Sequence, residues 1–329
     1  MEKRALGNTG LTVSVMGFGG WGIGGEAYGP VDEEIACQAV SAYLEAGGNF
    51  IDTARGYDLS ESVIGKVLKG RDGRSDIVLA SKTRKNDLRG MRMDLEKSLA
   101  LLETDYLDLY YLHVPPRDPD KMKQALDCLV KFREEGLIRH TGVSMRGPDV
   151  TDDSLSLARR YIREGNIGVI QVVYSVLRQQ FRKVFEEAAN QGVGVVCRAV
   201  LEHGFLTGKY NIQHQFGGYR SKWSRPARRR IFRAVENLAG IAAQSHRKDV
   251  RTLAMQFVLA EPYVTSMVVG AKSSRQVLEN IEACRSPMLD PAVRDRLIRS
   301  YGNVTSRMNT GGGSLYHRLW KRMSGSVFR

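Results

Sequence analysis

The sequence predicts a single closed (β/α)8 TIM barrel. Eight short apolar runs alternate with amphipathic stretches of helical period along most of the chain, the pattern of repeated strand-helix units feeding a parallel sheet. Polar side chains stand at or just past the C-terminal ends of three successive runs, NFIDT, IVLASK and YLDLYYLH, and 329 residues suit one barrel domain. In order, a Gly-Asn-Thr-Gly turn between short apolar segments at 4–12 predicts an N-terminal β-hairpin ahead of the barrel. Strands are expected near 13–19, 49–54, 77–82, 106–112, 139–145, 169–175, 193–199 and 266–270. The first helical stretch, VDEEIACQAVSAYLEAGG, opens on acidic residues that suit a helix N-terminus and ends on a double glycine. Further helices are expected near 60–69, 93–103, 120–135, 154–164, 181–191, 228–245 and 273–285. Two extra helical patterns, 250–262 and 289–302, break the simple repeat. Residues 201–227 lack long periodicity and contain Gly204, Gly208, Gly217 and Gly218, so a long loop over the barrel mouth is expected after strand 7. The barrel domain is drawn at 1–302, with 303–329 as a basic amphipathic C-terminal extension.

A hydrophobic fraction of 42% with 26% charged residues describes a globular chain able to bury a large core. No run of membrane-spanning length occurs and the opening MEKRALGNTG lacks a signal-like apolar segment, so a cytoplasmic location is expected. Cys37, Cys128, Cys197 and Cys284 are scattered without the paired spacing of a zinc or dithiol site. The net charge of +13 is local: RSKWSRPARRRIFR at 220–233 holds seven cations and no acid, and 301–329 holds five and no acid. One basic loop beside a mouth is better explained by phosphates than by nucleic acid, and no nucleic-acid-binding signature accompanies it.

Asp52, Tyr57, Lys82 and His113 occupy those three strand ends, so neighbouring parallel strands point all four into one mouth. Each alone reads as an ordinary barrel residue, whereas together they form a proton-transfer device. An ammonium beside a phenol stabilises the phenolate and makes the phenol a better acid; Asp52 keeps Lys82 charged and aimed; His113 can hold a carbonyl oxygen beside the Tyr57 hydroxyl. None of the four supplies hydride, which must come from a bound cofactor. Gly17, Gly19 and Gly22 imitate a dinucleotide fingerprint, but helical periodicity begins only at Val31, too late for that motif.

With these flanks, the chain resembles the aldo-keto reductase family. The likeness runs through RALGNTGLTVSVMGFGGWG, NFIDTARGYDLSESVIGKVL, LASKT, TDYLDLYYLH, GVS, QVVYS, GFLTGKY and VVGAKSSRQVLENI, over about residues 3–300 in order. The resemblance implies that the hairpin closes the barrel's bottom and that Gly20, Trp21 and Asp52 lie at the nicotinamide and substrate end. It implies that Ser144 and Gln171 recognise the nicotinamide carboxamide and that Arg198 stands where many members stack an aromatic on the ring. Leu201, Gly208 and Lys209 match the stretch around the pyrophosphate, and Gly270, Lys272, Gln276, Glu279 and Asn280 match the segment holding the adenosine end. Lys272 and Arg275 place positive charge where a 2′-phosphate lies, so NADPH (NADP+) is the expected cofactor. Met145, Val200 and Val269 depart from the family pattern.

The expected function is NADPH-dependent reduction of an aldehyde or ketone, a sugar or phosphorylated carbonyl compound among them, with Tyr57 as proton donor. Two alternatives share the fold: a cofactor-binding regulatory subunit, and an isomerase or epimerase that recycles its nicotinamide. The expected partner is a small-molecule carbonyl substrate, with no nucleic acid and no metal. In SLYHRLWKRMSG, Leu315, Tyr316, Leu319, Trp320 and Met323 share one helical face opposite His317, Arg318, Lys321 and Arg322. Such a helix packs on its own barrel or on a twin subunit in a homo-oligomer, with membrane-surface contact as the alternative.

Overall fold

The computed structural model describes residues 1–302 except 26, 70, 148 and 149; the C-terminal extension lies outside the described residues. The chain opens with β1 (Lys3–Ala5) and β2 (Thr12–Ser14), paired antiparallel as the expected hairpin. Then follow β3 (Met16–Gly19), α1 (Glu33–Glu45), β4 (Phe50–Asp52), α2 (Ser60–Lys69), β5 (Val78–Thr83), α3 (Leu88–Leu102) and β6 (Leu107–His113). Next come α4 (Pro119–Glu134), β7 (Ile138–Ser144), α5 (Asp152–Glu164), β8 (Val169–Val173), α6 (Phe185–Asn190) and β9 (Gly194–Arg198). The chain continues through α7 (Arg225–Gln244), α8 (Val250–Leu259), β10 (Val264–Gly270), α9 (Ser274–Arg285) and α10 (Pro291–Tyr301). Strands β3 to β10 close into an eight-stranded barrel in sequence order, with every neighbouring pair parallel.

Three expectations are corrected. The run at 13–19 is not one barrel strand: it breaks at Val15, giving its first residues to the hairpin and the rest to β3. The stretch 201–227 is not wholly irregular, since 3-10 turns form at Glu202–Thr207 and Gly218–Lys222. The basic segment 220–233 is not one loop at a mouth, because α7 begins at Arg225 under a Ser224 cap with proline in its first turn, and Arg225, Arg229, Arg230 and Arg233 are exposed along it. The glycine motif is followed by a 3-10 turn at Gly20–Ile23 and α1 starts only at Glu33, which agrees with setting aside the dinucleotide reading.

Helix starts follow local chemistry. Asp32, Asp87, Asp118, Thr151, Asp249, Ser273 and Asp290 each accept a backbone N–H as N-caps. The apolar helix faces pack against the outside of the barrel in the larger core. A smaller core fills the barrel's lower interior with Phe50, Val78, Ala80, Leu109, Tyr111, Val169, Val196 and Val268, and Leu6 and Val13 of the hairpin plug it from below. Side chains alternate faces with period two along a strand. Counting up from this inner core, the next inward positions are Asp52, Lys82, His113, Gln171, Arg198 and Gly270. The interior therefore turns from apolar to polar at its C-terminal end, where barrel active sites are built. No helix among the described residues is long and apolar enough to cross a membrane.

The Tyr43 hydroxyl, fully buried on α1, donates to the Met16 carbonyl at 2.8 Å and accepts from the Phe50 N–H at 3.1 Å, tying the helix to β3 and β4. Tyr43→Phe leaves both backbone groups buried without that partner and is expected to cost about 1–3 kcal/mol in urea or guanidinium unfolding. A midpoint matching the parent protein would contradict this assignment.

Candidate active site

At the polar end, the Lys82 ammonium has no exposed surface. It donates to Asp52 Oδ1 at 2.5 Å and to the Thr53 carbonyl at 2.7 Å. The second carboxylate oxygen of Asp52 accepts from Gln171 Nε2 at 2.7 Å, and Gln171 Oε1 accepts from the Ser144 hydroxyl at 2.9 Å. The barrel register sets these partners side by side, pairing Ser144 with Gln171 and Asp52 with Ala80, two residues before Lys82. Ser144 and Gln171 are thus fully buried and turned toward Asp52.

Tyr57, on the turn after β4, places its half-exposed ring over Lys82, with Nζ 5.1 Å from the ring centroid. The His113 ring meets Tyr57 edge-on, with centroids 5.7 Å apart. The four side chains expected to converge therefore do so. Burial holds the His113 imidazole well below its ordinary pKa, and the nearby Lys82, Arg84 and Arg198 charges push the same way. Its Nδ1 is enclosed without a hydrogen-bond partner, leaving Nε2 as the nitrogen able to carry a proton toward a ligand. Asp58, Val114 and Ala199, each next in sequence after Tyr57, His113 or Arg198, have left-handed backbones at φ 49°, 67° and 58°. Non-glycine residues reach that region only at a cost, and here it turns the chain sharply at the barrel rim.

A cavity of about 310 Å³ runs from Asp52 and Tyr57 across the ends of β9 and β10 to the start of α9. Among the expected cofactor residues, Trp21, Asp52, Arg198, Leu201, Lys209, Gly270, Lys272, Gln276, Glu279 and Asn280 line it. Gly20, Ser144, Gln171 and Gly208 do not appear on its wall. Gly20 instead packs beneath, where a Cβ would come within 2.4 Å of Ser60 Oγ, and Gly208 caps the 3-10 turn with φ 73°. Lys272 Nζ donates to the Tyr28 and Gly29 carbonyls at 2.8 and 2.9 Å. Arg275 is exposed and pairs with Glu279.

Sequence reading overlooked Tyr28, His203, Arg220 and Arg251, which also line the cavity. The Tyr28 hydroxyl meets His203 Nδ1 at 2.9 Å, the Arg220 guanidinium lies 4.2 Å over the Tyr28 ring, and Arg220 Nε donates to the His203 carbonyl. Arg251 and Arg275 each donate to Glu279, with Lys209 at 3.6 Å. Burial lifts the Glu279 carboxyl, but the hydrogen bonds from Arg251 and Arg275 outweigh it and hold it at about 2. Of this cluster the family resemblance had already pointed to Lys209, Arg275 and Glu279, and only Arg251 was missed.

These residues fit an anionic dinucleotide. Lys209, Arg251 and Arg275 surround the Glu279 carboxylate, and Lys272 adds a fourth cation on the cavity wall. The N-terminus of α9 follows the last barrel strand, and phosphates favour such helix ends and the loops after strands seven and eight of a barrel. The other end of the same cavity meets the phenol. Among the described residues no cluster of His, Cys, Asp or Glu could hold a metal ion.

The aldo/keto reductase family model matches residues 15–297. The chain is 28% identical over 296 residues to the aldo-keto reductase YhdN of Bacillus subtilis, covering 84% of this chain and 87% of that protein. It is 29% identical over 321 residues to an NADH-specific methylglyoxal reductase of Escherichia coli, covering 88% and 95%. The structure is similar to that of the aldo-keto reductase AKR11C1 from Bacillus halodurans in its holo form, with TM-score 0.74, 28% identity, and 91% and 96% of the two chains covered.

His203 is also held well below its ordinary pKa, by burial and then by Arg178, Arg198 and Arg220. Folded-state pKa values below the unfolded value near 6.5 mean that the unfolded chain binds more protons, so stability is full above about pH 6.5 and falls as the pH drops through it. The loss is expected to reach up to about 2 kcal/mol per imidazole by pH ~5, before the Glu279 pair titrates. Denaturant midpoints at pH 7, 6 and 5 should fall less steeply for the His113→Asn/His203→Asn double variant. Parallel curves for the two proteins would remove the assignment.

Proposed function

This chain belongs to the aldo/keto reductase family, and we propose that it is an NADPH-dependent reductase of small aldehydes or ketones in which Tyr57 is the proton donor. The observation that carries the reading is the Tyr57 phenol stacked over a fully buried ammonium at one end of a cavity whose other end is cationic. When bound, the nicotinamide supplies hydride to the carbonyl carbon. Tyr57 gives its proton to the oxygen as negative charge builds there. Lys82, held in place by Asp52, stabilises the resulting phenolate, and His113, neutral near pH 7, donates from Nε2 to the same oxygen and holds it beside the phenol. Gln171 and Ser144 fix the Asp52 carboxylate and, through it, Lys82. Trp21, packed against Tyr28 and Tyr219 with ring centroids 5.2 and 5.0 Å away, walls this end from water.

Preference for the 2′-phosphorylated cofactor is supported by charge. Lys209, Arg251, Lys272 and Arg275 outnumber Glu279, so the adenosine end keeps surplus positive charge for a further phosphate.

Tyr57→Phe is expected to lower carbonyl-dependent NADPH oxidation by about 10²–10⁴-fold while cofactor affinity by fluorescence titration stays within about twofold, since it removes only the proton donor. Turnover near the parent rate would exclude the mechanism. In kcat/KM comparisons NADPH should exceed NADH by at least about tenfold, the scale of one or two charge-assisted phosphate contacts. Equal or better efficiency with NADH would overturn the cofactor assignment.

A further inference from the structure

Arg198 holds the last inward position of β9, on the cavity wall. Its Nη2 donates to the Met145 carbonyl at 2.8 Å, and its Nε is enclosed without a hydrogen-bond partner. No carboxylate among the described residues forms an ion pair with it. The buried cations of the barrel are matched: Lys82 by Asp52, Arg178 by Glu202 and Arg251 by Glu279. Asp52 is the acidic group within electrostatic reach of Arg198, and both its oxygens are committed to Lys82 and Gln171. Arg84 adds a further cation beside His113. The carbonyl end of the cavity is therefore left with uncompensated positive charge, and a half-buried guanidinium whose Nε is enclosed without a partner is costly to retain.

The cations that suit cofactor phosphates cluster at the far end, around Glu279 and α9. Arg198 instead feels Tyr57 first among the charged or ionisable neighbours. An anion drawn to it thus belongs to the molecule being reduced. A planar guanidinium offers a fork of N–H donors that matches a carboxylate. Resting on the reductase reading above, we propose that Arg198 is a specificity-determining residue that selects substrates carrying a carboxylate a few bonds from the reacting carbonyl, completing in the complex the ion pair missing from the free protein. This use of the guanidinium edge is compatible with its face stacking on a nicotinamide. The carboxylate is unchanged in the reaction; it sets which carbonyl compounds are held in reach of Tyr57.

The test compares 3- and 4-formylbenzoate with their methyl esters, aldehydes of similar shape that differ in charge. For the parent protein kcat/KM for at least one acid is expected to exceed that of its ester by about tenfold or more, the scale of a charge-assisted pair. In Arg198→Gln that ratio should fall to near one, whatever the absolute rates, and Arg198→Lys should recover part of it. Equal acid and ester values at both spacings in the parent, or an unchanged ratio in Arg198→Gln, would overturn the inference. Should none of the aldehydes drive NADPH or NADH oxidation, the reductase reading itself fails. Calorimetric binding of benzoate against benzamide to the NADP+-loaded protein then decides the Arg198 question separately: preference for benzoate that Arg198→Gln abolishes supports the anion site, and equal affinity rejects it.

Discussion

Burial of the Lys82 ammonium is the constraint on which the rest of the site depends. A full charge without exposed surface is tolerable only when its donors are satisfied, here by Asp52 and the Thr53 carbonyl. Asp52 in turn is a buried anion whose second oxygen needs Gln171, and Gln171 needs Ser144. Side chains from β4, β5, β7 and β8 are thereby locked into one arrangement. A one-residue slip of any of these strands would turn its polar residue outward and leave a buried charge or amide unmatched. Removing one member of such a pair typically costs about 3–5 kcal/mol, so the network fixes the barrel's polar end as firmly as packing fixes its apolar one.

The two ends of the barrel divide the work. Hairpin residues Leu6 and Val13 and the inner apolar layer close the bottom. The strand ends above that layer carry the polar network, and the chain leaves them through left-handed turns at Asp58, Val114 and Ala199. Backbone strain of order 1–3 kcal/mol per residue is sustained there because the rigid strands beneath over-determine the geometry. Loops complete the cavity: residues 27–29 and 203–220 meet through the Tyr28 and His203 side chains, the Tyr219 N–H bonded to the Ala27 carbonyl, and Arg220 over Tyr28. Long cationic side chains close the outer end and an aromatic group around Trp21 closes the inner one.

Much of this was legible in the sequence because two periodicities coincide with chemistry. Apolar runs of strand length ending in Asp52, Lys82 and His113 announce both the strands and the rim, and the acidic opening of VDEEIACQAVSAYLEAGG marks where α1 begins. The break at Val15 was not legible, since residues 12–19 form one unbroken β-like pattern and only the hairpin's pairing divides it. Nor was the start of α7, although Ser224 and Pro226 carried the signal, because the glycines upstream suggested continued loop. Contacts such as Gln171 to Asp52, 119 residues apart, leave no local trace, and a Gln at a strand end reads equally as a ligand contact. Arg251 was hidden inside an apolar helical pattern, where a single cation reads as an exposed position. Its role depends on α8 and α9 packing side by side.

The most direct test of the buried-ammonium account is the single-turnover rate of carbonyl reduction by NADPH in Lys82→Met against the parent, with folding verified by circular dichroism. If the ammonium beneath Tyr57 makes the phenol an effective acid, the rate should fall by about 10²–10⁴-fold. A Lys82→Met protein that is folded, binds cofactor and transfers hydride at the parent rate would contradict the account.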